Sequence, residues 1–335
     1  MKPLPSHRTV DRFILELNND LLKKLMKSQV LKLSKMGIID TSFIALDSTP
    51  VSANTRQNNP KSFAKNKFSK DNQPRSDKDC GLGVHTASNQ HNERNFEYYW
   101  GYKNHILVDC ITGLPIYELT TSDNVSDSTA ALDILSQTNS FLSVDECTFL
   151  ADKGYDVKAI YNTVKELYHG EYVIPLNKRN TKDPKKLASG HPICEAGLAM
   201  HKNGKLSDNG RTRQKYCCPL KNSKCASCPC DHKNWNNGKK HRGCTKYVTI
   251  SDDYRLSIDR ECISFKKLYA LRTEAERYNS RFKQTGQERL WGHSFNAAQN
   301  LNSVAHIALL AVALAAIVTK SNSSYRCLKS VKRIA

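Results

Sequence analysis

The chain opens without an apolar stretch: "MKPLPSHRTVDR" carries no hydrophobic segment of the kind that starts a secretory signal. Its longest apolar run, "VAHIALLAVALAAIV" from Val304 to Val318, falls short of the roughly 20 residues a bilayer requires. The run also contains His306 and is rich in alanine, so it is expected to be a core helix, and no membrane partner is expected. Clusters of proline or glycine are few, which excludes fibrous and low-complexity classes. Twelve cysteines without a secretory signal argue against a disulfide framework and for reduced thiols, some of them on metal. Acidic residues are few beside basic ones: 32 Asp+Glu face 51 Lys+Arg, a formal charge of +19 and a pI near 9.4. Such an excess suits a polyanionic partner, nucleic acid or an acidic membrane surface. Much of it is concentrated between Lys178 and Lys246, where 17 Lys+Arg stand against 4 Asp+Glu.

What is present reads as one large core with an inserted module, since 335 residues are enough for both. Residues 1–40 have apolar positions at three- and four-residue intervals and stop at Gly37, a helical pattern. "SFIALDSTP" reads as a short buried strand ending in Asp47 and Pro50. Residues 54–80 are polar, basic and without pattern, hence a loop. "YYWGYKNHILVDCITGLPIYELTTS" reads as a hairpin with its turn near Thr112-Gly113. A helix from Asp127 to Thr138 follows, then the apolar run "CTFLADKGYD" ending in Asp152, a helix, and the short strand "YVIPL".

The stretch "YALRTEAERYNSRFK", residues 269–283, reads as a further helix with a buried stripe at Leu271, Ala275, Tyr278 and Phe282. At about 100° per residue, Tyr269, Arg272, Glu276 and Lys283 crowd an arc of about 60° beside that stripe. Alone, Arg272 and Glu276 would be an ordinary i,i+4 pair worth about 0.2–0.5 kcal/mol. Asp47 and Asp152, taken singly, would be turn or N-cap residues. Read together, two aspartates at strand ends and a glutamate on a helix make a cleft of three carboxylates. Such a cleft selects hard divalent cations, Mg²⁺ or Mn²⁺, and two of these can clamp the attacking and leaving oxygens of a phosphodiester.

These residues resemble a known family. The spacing Tyr269-x2-Arg272-x3-Glu276-x6-Lys283 matches the Tyr-Arg-Glu-Lys signature of bacterial insertion-sequence transposases of the DDE type. "ALDST" and "LADKGYD" resemble that family's two aspartate motifs, "GYKNHILVDCITGLP" the hairpin between them, and "SFNAAQNLNSVAHIA" the stretch after the glutamate helix. The resemblance covers roughly residues 40 to 320. It implies an RNase H-like α/β fold, a mixed sheet flanked by helices, with Asp47, Asp152 and Glu276 as catalytic metal ligands. It makes Arg272 and Lys283 contacts to DNA phosphates near the cut, assisted by Tyr269. It further implies double-stranded DNA partners, element ends and target, a homodimer on paired ends, and a cytoplasmic, nucleoid-associated location. A non-catalytic DNA-binding protein, or an inactive transposase remnant, is the competing reading.

The basic stretch carries its own signal. Cys225-x2-Cys228 is a zinc half-site, and Cys218 with Cys244 would complete a Cys₄ set; Cys217, Cys230, His232 and His241 are rival ligands. A cysteine-rich loop without metal competes with both, while the resemblance favours Cys218, Cys225, Cys228 and Cys244. Arg211, Arg213 and Lys215 suit phosphate contacts, which set affinity and its salt dependence. Trp291 and His293 follow Lys283 closely; core packing is the expected role of Trp291, with a wedge against a displaced base as the alternative. The expected division is a helical segment at 1–40, a remnant of an end-recognition region in an N-terminally truncated copy. Catalytic parts at 41–177 and 261–320 flank the Cys-rich module at 178–260, and 321–335 form a basic tail.

Overall fold

The computed structural model describes residues 5–63, 65–88, 94–177, 187, 191–208, 211–221, 229–230, 243–249, 254–256, 258–260, 262–319 and 326. Its main sheet is built on β1 (Phe43–Ser52). Successive side chains of β1 alternate between two apolar layers, Ile44 and Leu46 on one face, Ala45 and Val51 on the other, as the two-residue period of a strand requires. β1 pairs antiparallel with β3 (Arg94–Asp109) from Ile44 to Ser52. It pairs parallel with β5 (Thr148–Leu150) only from Phe43 to Ala45. β2 (Gly81–Ser88), β4 (Pro115–Ser122) and β6 (Glu171–Val173) complete the sheet, in the order β2-β3-β1-β5-β6 with β4 also on β3. The α/β class with a mixed sheet flanked by helices is therefore as expected.

Helices cover both faces. On one, Met26, Val30 and Leu33 of α2 (Asn19–Lys35) and Ile134 and Leu135 of α3 (Asp127–Asn139) pack against Ile44, Leu46 and Leu107. On the other, Ala275, Tyr278 and Phe282 of α6 (Thr273–Phe282) pack against Ala45, Tyr102, Ile106 and Leu150. α7 (Phe295–Val318) contributes to both layers. By length and composition α7 could cross a membrane, yet half of its most apolar window is buried in the fold. Before α2 comes α1 (His7–Glu16), which buries no residue. The joint between them is held by Asn300 of α7, whose amide donates to the carbonyls of Ile14 and Leu17 at 2.8 and 2.9 Å. A second sheet lies in sequence between β6 and α5 (Ile263–Ala270): β7 (His201–Asp208), β8 (Arg211–Cys217) and β9 (Thr245–Thr249), antiparallel in that order. The short α4 (Lys158–Asn162) links β5 to β6.

Three local expectations are revised. β1 does not end near Asp47 but runs on through Pro50 to Ser52. β5 has left that edge by Ala45, and the Ser52 N–H, of the same parity as Pro50, points away from β3 to the Glu288 carbonyl at 3.0 Å. The missing N–H of Pro50 thus costs no ladder bond. Residues 269–283 are not one helix: the chain turns at Leu271 and Arg272, whose N–H groups bond to Leu268 and Tyr269 at 3.0 and 3.1 Å in the tighter three-residue pattern. β2 occupies a segment with no strand expected. The turn at Thr112-Gly113 stands as read, with Gly113 at φ +66, a value glycine adopts without a Cβ clash.

A buried polar chain ties these layers together. Tyr278 of α6 bonds to His306 Nδ1 at 2.5 Å, His306 Nε2 meets Asn104 Oδ1 at 2.9 Å, and the Asn104 amide donates to Glu118 at 2.8 Å. Glu118, fully buried, forms an ion pair with Lys23 of α2. Burial lowers the His306 imidazole to about 4, so it is neutral at physiological pH. Burial alone would raise Glu118, but attraction to Lys23 and hydrogen bonds from Lys23 and Ser303 leave it net below the usual carboxylate range. Removing one partner of such a pair strands the other charge. Lys23→Ala should therefore lose about 3–5 kcal/mol of stability in urea titration, and the loss should shrink markedly in a Glu118→Gln background.

Candidate active site

Register brings the two aspartates together. Ala45 pairs with Leu150 where β1 and β5 run parallel. Two residues further along each chain stand Asp47 and Asp152. Adjacent strands are about 4.8 Å apart, and positions of this parity face α6, as Ala45 and Leu150 do. Glu276 lies on α6 itself, directly after Ala275, which is fully buried. The three acids thus share one face of the sheet.

Arg272 binds the group. Its guanidinium stands 3.8 Å from Asp47 Oδ1 and forms an ion pair with Glu276, and it lies over the Tyr269 ring at 5.6 Å from the centroid. Tyr269 remains next to Arg272 although the helix breaks between them, and its ring stacks on Phe265 at 6.1 Å. Desolvation pushes the Asp47 carboxyl up to about 6; Arg272 and the Ser48 N–H oppose the rise, while Asp152 and Glu276 add to it. Asp152 Oδ1 accepts from the Gly154 N–H at 2.7 Å and caps the turn Lys153–Tyr155. The turn role and a place in the cluster are compatible, because the turn engages one oxygen only. Lys283, seven residues past Glu276 and so about 10 Å further along the axis, pairs with Glu288 at 3.3 Å.

Asn279 is a member that the sequence reading missed. Buried on α6, it donates through Nδ2 to Asp47 Oδ2 at 3.0 Å, and its Oδ1 is buried without a partner. The signal was there: on the helical wheel it falls at about 280°, between the apolar stripe and the charged arc. Hard carboxylate oxygens beside an unpaired amide oxygen are the donor set a divalent Mg²⁺ or Mn²⁺ takes. The residues fit such an ion.

Other expected residues fall elsewhere. Trp291 is 37 % exposed, edge-on to His7 with centroids 6.3 Å apart, so it does not pack in the core. Its carbonyl holds the Asn54 amide at 2.8 Å. Arg213 and Lys215 alternate on β8, opposite in parity to Tyr216, which packs on Cys194 and Met200. Arg211 is in the same strand, its side chain outside the described residues. Cys225, Cys228, His232 and His241 also lie outside them. Cys218 and Cys244 meet at the end of the β8–β9 ladder, and among the described residues Cys194 and Cys230 also gather on Cys244.

The family model for the transposase DDE domain matches residues 39–311, a span that includes all three acids. No curated protein matches the sequence. Among solved structures, a piggyBac transposase synaptic complex with hairpin DNA is similar at 10% identity and a TM-score of 0.35, over 80% of this chain and 45% of that one. A Mos1 transposase paired-end complex with the left transposon end is similar at 12% identity and a TM-score of 0.21, over 51% and 44%. The chain thus spans less than half the length of either neighbour, and both superpose loosely.

The Asp47 environment has a measurable consequence. Its carboxyl titrates near 4 in an unfolded chain and at about 6 here. Its contribution to stability is therefore complete below about pH 4, falls as pH climbs to about 6, and is flat above that. Asp47→Asn, which keeps the shape without the charge, should raise stability at pH 7 in chelator by about 1–3 kcal/mol, seen as a higher Tm. Added Mg²⁺ should stabilise the parent protein and leave the variant unmoved.

Proposed function

The chain belongs to the transposase DDE-domain family, and from that premise we propose that it cuts phosphodiester bonds at the ends of an insertion element and joins the freed 3′-OH to target DNA. The single observation that carries this reading is the convergence of Asp47, Asp152 and Glu276 around one guanidinium on a sheet face. Within the family, the spacing from Tyr269 to Lys283 supports the Tyr-Arg-Glu-Lys subgroup of bacterial insertion sequences. The partner is double-stranded DNA, engaged by a homodimer holding paired ends, and the protein works at the nucleoid.

Asp47, Asp152 and Glu276 would hold the divalent ions, which when bound supply Lewis-acid stabilisation to the attacking and leaving oxygens of an in-line phosphoryl transfer. The remaining work falls to the protein. Asn279 fixes the Asp47 carboxylate through its 3.0 Å bond, so that the acid presents a defined edge. Arg272, stacked on Tyr269 and held between two carboxylates, is poised to exchange these partners for a phosphate, which a guanidinium grips in a fork. Lys283 adds a point charge further along the same helical edge. Arg213 and Lys215 on β8, with Arg211 in the same strand, would add phosphate contacts.

Two measurements test this. Asp47→Ala, Asp152→Ala and Glu276→Ala should each reduce metal-dependent nicking of an end-containing duplex below detection while still shifting that duplex in a gel. A variant that keeps cutting removes that residue from the site, and a parent protein that shifts DNA without cutting it favours the non-catalytic DNA-binding reading. Arg213→Ala with Lys215→Ala should weaken binding to all sequences alike and flatten the slope of log affinity against log salt by about 2, one phosphate contact being worth about 0.9.

A further inference from the structure

We propose that Cys194, Cys218, Cys230 and Cys244 bind one zinc ion, which clamps the β7–β9 sheet to the turn that precedes it. The geometry begins with register. The β8–β9 ladder ends at Cys217 opposite Thr245, so the next residues outward, Cys218 and Cys244, stand opposite each other. The Cys218 N–H donates to the Cys244 carbonyl at 3.0 Å, and the two thiols hydrogen-bond. The sulfurs of Cys194, Cys230 and Cys244 all lie within 4.8 Å of one another. Tetrahedral coordination at a Zn–S distance of about 2.3 Å sets sulfurs about 3.8 Å apart. These three thiols need to close by about 1 Å at most to reach it, and Cys218 joins them through its contact with Cys244.

The turn around Cys194 is shaped for thiolate. The Cys194 N–H bonds to the Leu198 carbonyl and the Gly197 N–H to the Cys194 carbonyl, both at 3.0 Å. Gly197 closes this turn at φ +77, a backbone region that costs glycine nothing. The closed turn aims two N–H groups at sulfur: Leu198 to Cys194 Sγ and Ala196 to Cys230 Sγ, each at 3.3 Å. Such donors stabilise a negative sulfur. Zinc binding replaces four thiol protons, leaving a site of net charge −2. The surroundings suit it: Lys246 Nζ is held at 2.7 Å on the Ile193 carbonyl, beside Cys194 and two residues from Cys244.

A clamp would add to a modest apolar core. Among the described residues that cluster has three buried members, Cys194, Met200 and Tyr216, with Leu198, Cys230, Cys244 and Val248 packed against it. A structural Cys₄ zinc would contribute folding free energy directly. Three sulfurs in mutual reach also exceed what one disulfide uses.

The test uses the full chain purified from zinc-supplemented culture. Metal analysis should give one zinc per chain. Differential alkylation with mass mapping should find Cys194, Cys218, Cys230 and Cys244 protected until a chelator is added, and Cys262 reactive throughout. Cobalt exchanged for zinc should show the intense visible absorption of a tetrahedral thiolate site. Cys194→Ser and Cys230→Ser should lower zinc affinity at least tenfold, and Cys262→Ser should leave it unchanged. Protection of Cys225 and Cys228 in place of Cys194 and Cys230 would overturn the assignment, as would a metal-free protein carrying a Cys194–Cys230 disulfide. The protection map is read on the unaltered chain, so it decides the matter even where a serine variant unfolds.

Discussion

The rotation of α6 over the sheet is the constraint on which the site depends. Apolar packing of Ala275, Tyr278 and Phe282 draws the helix to the sheet, but dispersion and burial are not directional and would tolerate sliding. The hydrogen-bonded chain from Tyr278 through His306 and Asn104 to Glu118 and Lys23 does have direction. Each buried group in it is costly to leave unpaired, so the helix has one setting in which all are satisfied. In that setting Ala275 meets the sheet with only a methyl, and its neighbours Glu276 and Asn279 are turned toward Asp47. The polar chain uses no residue of the carboxylate cluster, yet it determines where that cluster forms.

The cluster itself works against the fold. Desolvation, with Asp152 and Glu276 adding to it, raises the Asp47 carboxyl to about 6, which means its charged form is less comfortable in the folded protein than in water. Arg272 moderates this from within by serving Asp47 and Glu276 at once. A site that would be neutral and well packed could not gather cations or phosphate. The strain is local, and the layers of α2, α3 and α7 on the opposite face carry the compensating burial.

The candidate site was legible in the sequence where it coincided with strong local patterns. The apolar run before Asp47, the second run before Asp152 and the three-four spacing from Leu271 to Phe282 are each short-range signals, and each leads to an element that bears a site residue. Their register was not legible: that Ala45 pairs with Leu150 depends on contacts across about a hundred residues. Nor was the length of β1, since Pro50 reads as a stop and only the departure of β5 from that edge makes it harmless. The break at Arg272 escaped because the periodicity continues across it, a three-residue bond pattern at Leu271 and Arg272 shifting the phase too little to erase the stripe. Cys194 was invisible for another reason: it is 24 residues from Cys218, outside any compact cysteine spacing, and reaches the other thiols through a turn fixed by Gly197.

The same chain offers two donor sets of opposite character, and their separation follows from ligand chemistry. Carboxylates with an amide oxygen on the main sheet favour hard Mg²⁺ or Mn²⁺, and thiolates on the small sheet favour zinc. Zinc would compete strongly for any mixed site, because it binds N, O and S ligands more tightly than Mn²⁺ does. A sulfur-only pocket removed from the carboxylates gives zinc a better alternative and keeps the oxygen set for the weaker, exchangeable ions. The inserted sheet would then serve two ends with one structure: it presents Arg213 and Lys215 at fixed spacing along β8, and its metal, once bound by four sulfurs, has no open position through which to act on DNA. On the proposed reading, binding surface and reaction centre would thus fall to different elements by the softness of their ligands.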